Sequence, residues 1–249
     1  CEMRDMAAIS FLVYQFGYIV DAARRAKKNG ETFVGLDVDD GDMLAKTEVG
    51  DSELSRSFTP AEIKKVIEDN AEALSSKSDF RGDSLKGIKS GLDKMQARAD
   101  EAPHIERPLT LDEFDDKFQK KECVYGVTRD SANKRITVVF RGTDELAFAS
   151  NWKANASIIK KNASLPVALN GTLESLAFHT GFYDYIFDET VDDTDAAGTT
   201  KYDAILSDVK SLHAKYPDHK IYTTGHSLGA ALSTIAAFYL ACEPDLPKP

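Results

Sequence analysis

Cysteine, histidine and tryptophan are scarce in this chain, and positive charge is outnumbered by negative. Its 249 residues hold 31 lysines and arginines against 41 acids, a net charge of −10. Such a surface repels phosphate backbones on average, which excludes nucleic acid as a partner. It also argues against constitutive docking on anionic lipid, although a local apolar face could still meet a lipid surface. The three cysteines (Cys1, Cys123 and Cys242) have no CxxC spacing and cannot all pair within the chain. They give no zinc site and leave the redox compartment open. No histidine stands at metal-ligand spacing from another, so neither metal nor cofactor is implied. Long apolar runs are also missing. Met6 to Val20 is interrupted by Ser10, Gln15 and Gly17, short of the ~20 apolar residues of a membrane span. It reads as a buried helix rather than an anchor, and no signal-peptide cleavage site is evident. The first residue, Cys1, points to a processed or cut N-terminus.

Residues 28–104 are charged and poor in aromatics. Thr59-Pro60 has the form of an N-cap with proline in the first helical position. A second helix places Leu85, Ile88, Leu92 and Met95 on one face, weakened by Gly87 and Gly91. The region is expected to be an insertion or cap. Two acidic patches, Asp37 to Asp42 and Val191 to Gly198, lack the ligand alternation and closing glutamate of a calcium loop, and read as solvated loops. Further along, "ECVYGVT" and "RITVVF" flank the polar "RDSANK", an antiparallel hairpin. Tyr202, Ile205, Val209, Leu212 and Tyr216 recur at helical spacing up to Pro217, with His213 beside the stripe and solvent-facing.

The chemistry concentrates in "TTGHSLGAALST", Thr223 to Thr234. "KIYTTG" predicts a short strand, and Ser227 to Ala241 an uncharged helix that must be buried. A serine in Gly-x-Ser-x-Gly between strand and helix is a nucleophile elbow. Gly225 and Gly229 relieve the crowding of that turn. The Leu228 amide lies at a helix N-terminus, where the dipole favours the charge of a tetrahedral intermediate. His226 precedes the serine and would point away from it.

Three blocks carry a resemblance. "VVFRGTDE" (Val138 to Glu145), "FHTGFYDYI" (Phe178 to Ile186) and "TTGHSLGAAL" (Thr223 to Leu232) occur in the order of the class 3 lipases, typified by fungal triacylglycerol lipases. The resemblance implies an α/β-hydrolase core with a mixed, mostly parallel sheet flanked by helices, truncated before its last strands, behind an N-terminal helical insertion. The implied divisions are 1–27 as an N-terminal helix, 28–104 as the insertion, and 105–249 as the incomplete hydrolase domain. It makes Ser227 the catalytic nucleophile, and Thr143 and Leu228 the oxyanion hole. His179 and Arg141 take structural roles. Leu146, Phe148 and Trp152 are lid candidates, with a surface helix packed on the core as the equal alternative. A lipid ester is the implied substrate, met at a lipid–water interface through the lid. Sequons at Asn155, Asn162 and Asn170 mildly favour a secretory route.

The order in this fold is Ser, then acid, then His, yet all five histidines precede Ser227, and only Glu243 and Asp245 follow it as acids. The catalytic acid and histidine are therefore expected beyond residue 249, and the chain alone is expected to be poorly active, with one sheet edge and one helix face uncovered. The alternative is a non-catalytic lipase-like scaffold that binds a ligand or partner protein.

Overall fold

The computed structural model describes residues 2–36, 38, 57–75, 80–116, 123–142, 160–169, 171–188 and 200–247. Apart from Val38, both acidic patches lie outside the described residues, as do Thr143, the lid candidates Leu146, Phe148 and Trp152, Asn155 and Asn170. The chain divides into two compact units, Cys1–Asp116 with Gly126–Arg135, and Lys117–Tyr125 with Ile136–Pro249.

The first unit contains helices α1 (Glu2–Lys28), α2 (Pro60–Asp69), α3 (Ala71–Leu74) and α4 (Gly82–Asp100), strand β1 (Leu109–Asp115) and most of β2 (Tyr125–Asp130). By length and composition α1 could cross a membrane, but 61% of its most apolar stretch is buried within the protein. Leu12, Val13, Phe16, Ile19 and Val20 are sealed in the core, as expected of a buried helix. Phe16 meets Phe58 at 5.3 Å and Phe114 at 5.1 Å between ring centroids. Thr59 caps α2 as its sequence indicated: its side chain accepts from the Glu62 amide at 3.2 Å, and Glu62 accepts from the Thr59 amide at 2.7 Å. Arg107 grips Glu62 through two nitrogens, at 2.6 and 2.7 Å. Burial alone would raise the Glu62 pKa, but Arg107 and the Thr59 amide outweigh it and hold it below the usual 4.5. On α4, Ile88, Leu92, Met95 and Ala99 face inward, while Leu85 is half-buried. The backbone of β2 runs antiparallel to β1: the Ser131 amide donates to Pro108, and Gly126 abuts Glu113. Buried Arg129 and Asp112 pair at 2.9 Å.

The second unit holds β3 (Arg135–Phe140, from Ile136 onward), β4 (Lys160–Asn162), β5 (Ala177–His179), α5 (Thr180–Phe187), α6 (Lys201–Lys215), β6 (Lys220–Gly225) and α7 (Leu228–Cys242). Four strands are ordered β1-β2-β3-β6, with β4 and β5 forming a separate antiparallel pair. The hairpin turn before β3 is set by Asp130, which accepts from the amide and side chain of Asn133 at 2.9 and 2.8 Å, and by Lys134 at φ 52°. β3 and β6 are neighbours joined by a crossover containing α5 and α6, the connection parallel strands require. The result is an α/β fold with a mixed, open sheet flanked by helices. Tyr202, Ile205, Val209 and Leu212 form the buried stripe of α6. Tyr125 is fully buried, its hydroxyl donating to Asp208 on α6 at 2.7 Å.

Two sequence expectations need correction. His213 is half-buried rather than solvent-facing, and its Nδ1 is enclosed. Helix α7 is buried along Leu232, Ile235, Ala236, Tyr239 and Leu240, but Ala230 and Thr234 are exposed. Its apolar composition suggested cover all round; in the structure, packing from β6 and α5 leaves the opposite face open.

Candidate active site

Strand β6 supplies the approach to the turn, and its end fixes the residue types that follow. A methyl group at Gly225 would lie 2.3 Å from the carbonyl carbon and oxygen of Gly229. One at Gly229 would lie 2.3 Å from the carbonyl oxygen of Phe140, the last residue of β3. Both obstacles are backbone, which cannot swing aside as a side chain can. Only glycine fits at either position, so β3, the turn and the first turn of α7 are in backbone contact.

Ser227 sits at the apex with φ 55° and ψ −121°. This is a sparsely populated conformation for a residue with a side chain, costing of order 1–3 kcal/mol. The Gly229 amide donates to His226 at 2.9 Å and the Ala230 amide to Ser227 at 3.0 Å. Leu228 is the first residue of α7, and an amide there has no partner within its helix. The Ser227 side chain makes no capping bond and is exposed. The serine hydroxyl, the Leu228 amide and the positive end of α7 are thereby presented together. A methyl group at Gly229 would also lie 3.1 Å from the carbonyl carbon of Arg141, the residue after β3.

The helix is tied to the strand behind it. Thr223 donates to the carbonyl of Ser233 at 3.0 Å, and Tyr239 donates to the carbonyl of Ser164 at 2.8 Å. Tyr239 belongs to an aromatic cluster with Phe178, Phe187, Tyr202 and Phe238. Burial, then the hydroxyl of Tyr183, pushes its pKa up. Sequence reasoning missed this residue, although a tyrosine in an otherwise apolar helix signals a hydroxyl seeking a partner.

His219 is buried, bound to Asp218 at 2.8 Å, and precedes β6. Ser227 lies past the other end of that strand, about 20 Å away at strand rise. His213 is on α6 near the same far end. His179 caps α5, with its ring 4.7 Å from that of Phe182. A methyl at Gly181 would lie 3.2 Å from the His179 ring, so His-x-Gly is a packing unit. His226 is exposed, its carbonyl closing the turn, and His104 is exposed in the first unit. The two downstream acids are engaged elsewhere. Glu243 accepts from Tyr202 at 3.1 Å and lies 3.6 Å from Lys210, which also pairs with Asp245 at 3.2 Å. Burial and the charge of Glu243 raise the Tyr202 pKa. These groups stand at the end of α7 remote from Ser227, about 22 Å along the helix. The structure thus brings together Ser227 and the Leu228 amide, and brings neither a histidine base from α6 or the β6 approach nor an acid from the end of α7. No cluster suited to a metal occurs among the described residues.

Comparisons with known proteins fall on the same stretch. Residues 137–247 match the family described as lipase (class 3), covering all three motifs. A secreted mono- and diacylglycerol lipase A of Penicillium cyclopium is 26% identical over 147 residues, 58% of this chain and 41% of the relative. A secreted alkaline triacylglycerol lipase of the same organism is 52% identical over 40 residues, 16% of this chain and 14% of the relative. The chain therefore spans about two fifths of the length of the first of these. Among solved structures, Rhizomucor miehei triacylglyceride lipase aligns at 23% identity, with a TM-score of 0.39, over 56% of this chain and 44% of that one.

Proposed function

We propose that this chain carries the nucleophile of a serine hydrolase cleaving carboxylic esters of glycerolipids. The observation that carries the reading is the Ser227 backbone at φ 55°, held between two glycines that tolerate no side chain. A serine kept in that conformation has its hydroxyl exposed and cannot relax without breaking the backbone contact with β3. Ser227 Oγ attacks the ester carbonyl while a histidine, oriented by an acid, takes its proton. The oxyanion formed receives the Leu228 amide and the amide and hydroxyl of Thr143. Collapse releases the alcohol and leaves an acyl group on Ser227, which water removes. We assign the histidine and acid roles to no residue of this chain.

The glycerolipid class is supported by the relatives' names, mono- and diacylglycerol lipase and triacylglycerol lipase. Leu146, Phe148 and Trp152 serve as the lid that meets lipid, an assignment supported by their clustered apolar character alone. The relatives are called secreted, which together with the sequons supports a secretory route for this protein.

The test uses the protein as its cells make it, assayed for fatty-acid release from emulsified mono-, di- and triacylglycerol and from a short water-soluble ester. The expected result is turnover of the glycerolipids, lost by at least ~10³-fold in Ser227→Ala. Turnover unchanged by that substitution would remove Ser227 from the mechanism. A folded protein with no turnover of any ester would favour the binding scaffold.

A further inference from the structure

The sequon Asn162-Ala163-Ser164 has no part in the chemistry above, and the structure shows which way its asparagine faces. Asn162 is the last residue of β4. Its neighbour Lys161 turns toward α5, with Nζ 2.9 Å from Asp184 and 5.6 Å from the centre of the Tyr183 ring. Successive strand residues point to opposite faces, so Asn162 points away from α5, to the face it shares with Lys160. Across the ladder its register partner is Ala177, whose side chain shares that face and is only a methyl. Asn162, Ser164 and Ala177 are all exposed. The carbonyl of Ser164 accepts from Tyr239, which fixes the backbone that follows the asparagine without using the serine hydroxyl.

We propose that Asn162 carries an N-linked oligosaccharide. The donor is a polyprenyl-diphosphate oligosaccharide. A bond forms between Asn162 Nδ2 and the anomeric carbon of the first sugar, the bond from that carbon to the diphosphate oxygen breaks, and the amide proton leaves with the diphosphate carrier. The Ser164 hydroxyl completes the acceptor sequence. A glycan here extends into solvent past Ala177 and disturbs neither the Lys161–Asp184 pair nor the aromatic cluster behind it. It also keeps this face of β4 and β5 in water, so a lipid surface must approach the second unit from another side.

The experiment takes the protein purified from the cells that make it and treats its peptides with peptide-N-glycosidase in heavy-oxygen water. The expected result is conversion of Asn162 to isotope-tagged aspartate. Asn162→Gln and Ser164→Ala should each lower the apparent mass on a gel by one glycan, and Ser164→Ala does so with the asparagine still present. Labelling of Ser227 by a fluorophosphonate should be the same in both variants as in the parent, which separates this site from the hydrolase reading. Recovery of the peptide with Asn162 unmodified overturns the proposal, as does a Ser164→Ala protein that keeps its full glycan mass.

Discussion

Two glycine pairs with the same spacing, Gly225 with Gly229 and Gly87 with Gly91, obey opposite rules. Methyl groups on the first pair would meet backbone atoms at 2.3 Å, while methyl groups on the second would meet nothing within 4 Å. The first pair lets strand, turn and helix touch backbone to backbone and holds Ser227 at positive φ. The second lies in the open middle of α4, where glycine only adds freedom to the unfolded chain. Spacing alone does not distinguish them. What surrounds each residue does.

The largest effect should come from Gly229→Ala. No rotamer avoids a clash with backbone, so the loss should exceed ~3 kcal/mol. Thermal melting followed by circular dichroism should show a large drop, and a parental melting point would mean that the contact with Phe140 is not obligatory. Next is Tyr239→Phe, which leaves the Ser164 carbonyl without its donor and should cost ~1–3 kcal/mol. Chemical denaturation of the two proteins side by side measures it. A smaller loss, ~1 kcal/mol, is expected for Thr59→Ala in the first unit, where a helix end rather than a backbone contact is removed. Gly91→Ala should reverse the sign and stabilise α4 by ~0.5–1 kcal/mol. Destabilisation there would erase the contrast between the pairs.

Acid offers a further probe of the first unit. The folded-state pKa of Glu62 is held below its usual value by Arg107 and the Thr59 amide, against the opposing effect of burial. Its contribution is then fully present above about pH 4.5 and lost as pH falls through the depressed value. Melting points taken from pH 6 downward should show this decline (the ordinary carboxylate range is ~4), and Glu62→Gln should flatten it.

The elbow was legible because its residue types are forced: only glycine fits at 225 and 229, and the uncharged run after Ser227 specifies a helix against a sheet. The β2–β3 hairpin, the Thr59 cap and the stripe of α6 were legible for the same local reason, since caps, turns and periodicity act over a few residues. What the sequence did not reveal depends on contacts between distant residues. Tyr239 finds Ser164, Tyr202 finds Glu243, and Arg107 finds Glu62, pairings that no local spacing announces. His213 is half-buried, with its Nδ1 enclosed, because a position beside the stripe does not specify what packs over it. Thr143, Leu146, Phe148 and Trp152 lie outside the described residues.

Whether Ser227 is a nucleophile is decided by labelling the folded protein, as its cells make it, with a fluorophosphonate that reacts only with an activated serine. One adduct is expected, on Ser227, abolished in Ser227→Ala while the variant melts like the parent. A correctly folded protein that stays unlabelled would contradict it, leaving the strained serine as a feature of a binding scaffold.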